Sequence, residues 1–170
     1  MEFRKLTPEE IDIRVGAVTT NGMSLLLYKN ARVDMQILDE TVGSENWQRE
    51  HYECKGNLFC RVGIKIGNEW VWKADCGTES NTEKEKGESS DSFKRACVCW
   101  GIGRELYTAP FIWIVLGKDM VDTSSGRPKL TAKTQKQVNG FRVTKIAYNG
   151  RGEISDLVIA EKDGTVVWQI

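Results

Sequence analysis

Two adjacent cations, Lys94 and Arg95, are the residues of this sequence best suited to hold an anion. They lie in residues 88–104, where apolar side chains recur at the spacing of one helix face. That face consists of Phe93, Ala96, Cys97 and Trp100. A helix anchored in this way presents two fixed positive charges on its other side, which would suit phosphate. The alternative is an ordinary amphipathic helix whose cations are solvated or paired with Asp91.

Other chemistry finds little support in the sequence. There is no G-x-x-x-x-G-K-[ST] loop for a nucleoside triphosphate, and Gly101-Ile102-Gly103 is too short for a dinucleotide site. The single histidine, His51, cannot by itself establish a nucleophile–base pair. We therefore expect a binding protein and not an enzyme, with no catalytic residue, metal or cofactor.

Composition sets the broad class. The chain has 170 residues, 40% of them apolar, which indicates a globular protein with a core of its own. No apolar run is long enough to cross a bilayer, and the N-terminus lacks the apolar stretch of a secretory signal. Five cysteines without metal-ligand spacing are typical of reduced thiols. We expect a protein of the cytoplasm, with no membrane partner.

Charge is balanced overall but not along the chain. Twenty-four basic residues offset 24 acidic ones, which argues mildly against nucleic-acid binding. However, residues 123–152 contain seven basic side chains and no acidic one. This stretch is either a local field that attracts a polyanion or a solvated basic linker.

The elements that must position Lys94 and Arg95 precede them. A buried strand is predicted over residues 23–28 and a helix over 31–42, ending at Gly43. Alternating residues at 48–54, 58–66 and 69–76, separated by turn signals, predict three antiparallel strands. A polar loop, 77–87, then leads to the helix that carries the cations.

Later residues predict a separate, smaller unit. A short strand is expected at 111–116, and residues 122–137 have the composition of a linker. Strand-like segments at 141–148, 153–161 and 165–170 are joined by hairpin turn signals. We predict a core domain over 1–118, a basic linker over 119–140 and a C-terminal β meander over 141–170.

Several motifs in order resemble one family. Arg32-Val33 opens the first helix, which ends in a G-x-x-x-W motif from Gly43 to Trp47. A three-stranded meander follows, and then D-x-x-K-R-A at residues 91–96 with Trp100-Gly101 behind it. Over about residues 10–115 this order is similar to the single-strand annealing proteins of the Rad52 family, in particular the short phage and prophage members called Sak.

The resemblance implies an α+β fold, an antiparallel β-β-β-α core of the annealing-protein type, with the small C-terminal β meander outside it. It also implies annealing of complementary DNA strands without ATP, in homologous recombination and repair. Protomers would form a ring or helical homo-oligomer with single-stranded DNA in a positive groove. A host or phage single-strand-binding protein is a further candidate partner, and the cytoplasm of a bacterial host is the expected location.

The resemblance also implies a set of DNA-binding residues. Lys94, Arg95 and Arg32 match cations that line the family's groove, whereas Val98 stands where the family often has a third cation on the long helix. Cations on the strands could substitute for it: Arg61, Lys65 and Lys73. The tryptophans of this region could stack on bases, but packing in the core is the favoured interpretation for each: Trp47, Trp70, Trp72 and Trp100.

Three other functions remain open. A non-catalytic structural or scaffold oligomer could use the same helix for protein contacts. A metal-dependent nuclease could hold Mg²⁺ at Asp75 and Glu79. An RNA-binding module is the third alternative.

Overall fold

A computed structural model describes residues 1–77 and 84–170. Side chains are described for residues 1–77 and 87–170. The strands are β1 (Asp12–Val18), β2 (Gly22–Tyr28), β3 (Trp47–Cys54), β4 (Asn57–Ile66), β5 (Glu69–Cys76), β6 (Ile112–Val115), β7 (Val121–Asp122), β8 (Lys129–Leu130), β9 (Arg142–Tyr148), β10 (Ile154–Ala160) and β11 (Val166–Gln169). The α-helices are α1 (Ala31–Val42), α2 (Lys84–Trp100) and α3 (Ala132–Val138). Short 3-10 helices occupy Pro8–Glu10, Ser44–Asn46, Arg104–Thr108 and Lys118–Met120.

The chain folds into two compact units, and each unit is built from two separate segments of the chain. The first unit combines residues 1–5 with 30–104, and the second combines 6–29 with 105–170. The boundaries at 118 and 140 stay a prediction from sequence. Within the described ranges, no helix is long and apolar enough to cross a membrane.

The first unit is the predicted β-β-β-α core. Strands β3, β4 and β5 form an antiparallel sheet in that order, and α2 packs on one face of it. Strand β4 supplies three fully buried side chains to that face: Cys60, Val62 and Ile64. Helix α2 supplies Phe93, Ala96 and Cys97, also fully buried. Burial of these groups stabilises the unit by roughly 1.5 to 3 kcal/mol for each large apolar side chain.

Helix α1 has both ends fixed by local chemistry. The Asn30 side chain accepts a hydrogen bond from the backbone N–H of Arg32 at 2.9 Å, which caps the start of the helix. Gly43 ends it with φ at +85°, a conformation that favours glycine. Ile37 and Leu38 are fully buried, and α1 packs against α2. The predicted bounds of α1 are therefore confirmed.

The second unit contains two three-stranded antiparallel sheets. Their strand orders are β1-β2-β6 and β11-β10-β9, so the predicted C-terminal meander is present. The backbone N–H of Leu6 donates to Glu105 at 2.8 Å, and the Tyr148 hydroxyl donates to the Leu6 carbonyl at 2.8 Å. The predicted α+β class with antiparallel sheets is confirmed.

Three local features of the structure were not predicted. Strand β1 was missed because it carries charged residues in alternation with half-buried ones. Helix α2 begins at Lys84 and not at Glu88. The predicted linker contains the hairpin β7–β8 and helix α3, which Thr131 caps by accepting from the Thr134 N–H.

Candidate nucleic-acid interface

Helix α2 holds Lys94 and Arg95 on its outward side. Phe93 and Ala96, which flank the pair in sequence, are fully buried, whereas both cations are half-buried. Because buried neighbours fix the rotation of the helix, the two charges cannot turn into the core. Lys94 has no ion pair or hydrogen bond with the side chains described at 1–77 and 87–170. Its ammonium group is therefore available to an anionic ligand.

Arg95 faces strand β5. Its Nε lies 3.6 Å from Oδ2 of Asp75, and the two side chains are 39% and 33% exposed. Asp75 lies on the α2 side of the sheet because its cross-strand partner is the fully buried Cys60. One of the two predicted phosphate ligands thus has a carboxylate beside it.

Lys73 lies at the C-terminal end of α2. Its Nζ donates to the carbonyl oxygen of Cys99 at 3.1 Å and lies 4.5 Å from the centre of the Trp100 ring. The Trp100 indole donates in turn to the Val62 carbonyl at 2.9 Å. A cation at a helix C-terminus offsets the partial negative charge of its free carbonyls. Part of the charge of Lys73 is therefore directed at the protein itself.

Arg104 is a cation of this region that the sequence did not reveal. Its Nη2 donates to the carbonyls of Val98 and Cys99 at 2.9 and 3.1 Å, although the side chain is exposed. A signal for it exists, since an arginine directly after Gly101-Ile102-Gly103 follows a predicted helix stop. Arg95 and Lys73 thus lie on the β5 side of α2, and Arg104 lies at the C-terminal end of the helix.

A second missed cation borders the other flank of α2. The Arg49 guanidinium lies 4.7 Å from the centre of the Phe93 ring, and its side chain is exposed. Arg49 and Lys73 lie on either side of Val62 in the strand register, so both are on the α2 face of the sheet. Positive charge therefore borders α2 on both sides.

Arg61 and Lys65 lie on the opposite face of the sheet. Arg61 donates twice to Glu50 Oε2, at 2.8 and 2.5 Å, and its guanidinium lies 4.6 Å from the Trp72 ring. Lys65 is exposed and pairs across the strands with Trp70. Within one protomer, the structure does not bring these two cations together with Lys94 and Arg95.

Arg32 is exposed at the start of α1. Arg32 belongs to the same unit as the Lys94–Arg95 pair, and its side chain makes no hydrogen bond, ion pair or ring contact with described groups. The match to a groove-lining cation stays a prediction.

The tryptophans divide between the two sheet faces. Trp47 stacks on Phe93 at 6.1 Å and donates to Asp39 at 2.6 Å, and Trp100 is held as described, so both serve packing. Trp70 and Trp72 contact one another on the opposite face, where Trp70 is 38% exposed. The interpretation of Trp70 as a core residue therefore does not fit its exposure.

The groups proposed for metal-dependent chemistry are not seen together. Asp75 lies beside Arg95, and Glu79 falls outside the described residues. Among the described side chains, no three of His, Cys, Asp or Glu form a cluster that could hold a metal ion. Burial raises the pKa of the Cys60 thiol to about 11, which keeps this group neutral near pH 7.

Comparison with known proteins now identifies the family. The family model of the Rad52/22 family double-strand break repair protein matches residues 3–123, which is more than half of the chain. The chain belongs to the Rad52/22 family. Searches of curated proteins and of solved structures found no match. Membership in the Rad52/22 family places the chain among DNA annealing and repair proteins and implies DNA binding and self-association in general.

Proposed function

We propose that this protein binds single-stranded DNA and anneals complementary strands without ATP, as a ring or helical homo-oligomer in homologous recombination. The observation that carries the proposal is the Lys94–Arg95 pair, fixed on the outward side of α2 by its fully buried neighbours Phe93 and Ala96. The β-β-β-α core of a Rad52/22 family member supports it.

Annealing needs two properties of a protein surface. Contacts to phosphate make affinity independent of sequence, and they leave the base edges free to pair with a second strand. In our proposal Lys94 and Arg95 bind phosphates, and Arg32 contacts the same strand from α1. Arg49 and Arg104 raise the positive electrostatic potential around α2. The buried face of α2 fixes the backbone positions of Lys94 and Arg95 relative to one another.

Self-association multiplies weak contacts. A single protomer offers only a few phosphate ligands, and each exposed cation contributes little by itself. When protomers line up, one strand engages many of these sites at once, and the effective local concentration raises the overall affinity. A ring or filament therefore fits the modest charge of one protomer.

Three cations of the predicted site play lesser parts in the proposal. Lys73 is held at the end of α2 by its hydrogen bond to Cys99. We therefore expect it to attract DNA by long-range electrostatics and not by a direct phosphate contact. Arg61 and Lys65 lie on the other sheet face, so we expect them to have little effect on the strand that Lys94 and Arg95 bind.

The setting proposed is the phage or prophage branch of the family, acting in the cytoplasm of a bacterial host. A host or phage single-strand-binding protein would then be the natural competitor or partner on the same DNA. The protein is proposed to act without catalytic residues, since annealing makes and breaks no covalent bond.

Annealing of two labelled complementary oligonucleotides, in EDTA and without ATP, tests the proposal. We expect the protein to accelerate pairing, and electron microscopy to show rings or filaments on single-stranded DNA. A scaffold oligomer would bind no DNA at any salt concentration. A nuclease would shorten DNA only with Mg²⁺, and an RNA-binding module would prefer matched RNA over DNA in competition; either result would contradict the proposal.

A further inference from the structure

The contact between Asp75 and Arg95 is held from the Asp75 side. Oδ1 of Asp75 accepts a hydrogen bond from the backbone N–H of Cys76 at 2.8 Å, and its other oxygen faces Arg95 Nε at 3.6 Å. The carboxylate is also fixed by its place on β5, opposite the fully buried Cys60. The negative charge beside Arg95 is therefore a rigid feature of the sheet.

Arg95 is held more loosely. A distance of 3.6 Å is beyond that of a hydrogen bond, so the attraction is Coulombic. Nε itself is buried and has no hydrogen-bond partner among the described groups, whereas the side chain as a whole is 39% exposed. Its terminal nitrogens make no hydrogen bond with described groups either. The guanidinium therefore has donors left for an anion, and the side chain is exposed enough for one to reach it.

We infer that Asp75 is a built-in competitor of phosphate at Arg95 and limits the affinity of this site for single-stranded DNA. This inference rests on the proposed function. A phosphate on the terminal nitrogens of Arg95 lies within a few ångströms of the fixed carboxylate, and like charges at that separation repel. When DNA is absent, the Asp75 carboxylate attracts the Arg95 guanidinium. When DNA is present, the same carboxylate weakens the binding of phosphate to Arg95.

Limited affinity has a use in annealing. Tightly bound phosphates would hold a strand against the movement that pairing with a second strand requires. A carboxylate that competes for Arg95 lets contacts break one at a time while neighbouring protomers keep the strand in place. Asp75 would thus set the balance between capture of a strand and release of the duplex.

Asp75→Asn tests the inference with little structural change. The amide has almost the same shape, and its oxygen can still accept from the Cys76 N–H. The matched control is Glu50→Gln, which removes one negative charge from the opposite face of the same sheet, where Glu50 pairs with Arg61. Binding is measured by fluorescence anisotropy with a labelled oligothymidylate at low and moderate salt, and circular dichroism checks the fold.

We expect Asp75→Asn to tighten binding about three- to tenfold at low salt, and Glu50→Gln to change it less than twofold. In an Arg95→Ala background, Asp75→Asn should change binding less than twofold. Unchanged or weaker binding by Asp75→Asn, or an equal gain from Glu50→Gln, overturns the inference. If the parent protein itself binds no DNA, the proposed function fails instead, so the two failures are distinguishable.

Discussion

Lys73 and Arg104 donate to the same atom, the carbonyl oxygen of Cys99, and both donor–acceptor distances are 3.1 Å. Lys73 comes from strand β5 and ties the end of the helix to the sheet, whereas Arg104 comes from the residues that follow α2 and satisfies the last carbonyls of the helix. The helix that carries Lys94 and Arg95 is thereby fixed at its C-terminal end by positive charge. The cations of this region therefore have two roles. Lys73 and Arg104 hold the end of α2, whereas Lys94 and Arg95 lie on its outward side.

Loss of Lys73 should therefore be felt in stability. We expect Lys73→Ala to lower the free energy of unfolding by about 1 kcal/mol, since it removes the contacts with Cys99 and Trp100. Urea denaturation followed by tryptophan fluorescence measures this. Lys65→Ala is the matched control, an exposed cation on the next strand without such contacts, and should change stability by less than about 0.5 kcal/mol. Equal effects of both substitutions would contradict the role given to Lys73.

Gly63 gives a test of the opposite sheet face. A Cβ atom at this position would lie 2.8 Å from the Trp72 ring, which rests flat on the glycine. We expect Gly63→Ala to destabilise the protein by about 1 to 3 kcal/mol, because Trp72 must move. Gly150→Ala is the control, since no heavy atom lies within 4 Å of that site and its φ is not positive. A tolerated Gly63→Ala would show that the Trp72 ring does not rest on this surface.

Stability should fall at alkaline pH through Cys60. The buried thiol has its pKa raised from 9.0 to about 11, so the neutral form is favoured by folding. The contribution is fully present below pH 9 and is lost as pH rises from 9 to 11; the two-unit shift corresponds to about 2 to 3 kcal/mol. Burial also raises the pKa of Tyr148, which adds in the same direction.

Urea denaturation between pH 8 and 11 measures this loss. Cys60→Ala, although less stable throughout, should show a shallower decline with pH than the parent. Identical slopes for the two proteins would contradict the assignment to Cys60.

The sequence predicted those parts of the fold that local chemistry determines. Asn30 and Gly43 mark the ends of α1, and the alternation from Cys60 to Ile64 marks the buried face of β4. Strand β1 was beyond this reasoning because it has no fully buried face of its own. Helix α3 was hidden because its segment is polar, although Thr131 is a usual N-cap.

The candidate site was predictable only in part. The Lys94–Arg95 pair follows from helical periodicity, since its neighbours in sequence are the anchors. The separation of Arg61 from Lys73 follows from the opposite faces of paired strands, but their relation to α2 depends on which face the helix covers. The pairing of Arg95 with Asp75 depends on the crossing of helix and sheet, which residue spacing does not specify.

Salt dependence should reveal the phosphate contacts one by one. Each cation that neutralises a phosphate contributes about 0.7 to the slope of log affinity against log salt for a single strand. We expect Lys94→Ala and Arg95→Ala each to reduce the slope per protomer by about that amount, measured by anisotropy over a salt series. An affinity that does not change with salt would exclude phosphate contacts.

Binding of a labelled oligothymidylate by the double variant Lys94→Ala/Arg95→Ala, at moderate salt, tests the central claim most directly. The variant should keep its fold and self-association by circular dichroism and gel filtration. A control that removes equal charge from α3, Lys133→Ala/Lys136→Ala, should bind within about twofold of the parent, because both lysines are exposed on a helix that belongs to the other unit. We predict that Lys94→Ala/Arg95→Ala abolishes binding. Binding equal to that of the parent would contradict the assignment of this surface to DNA.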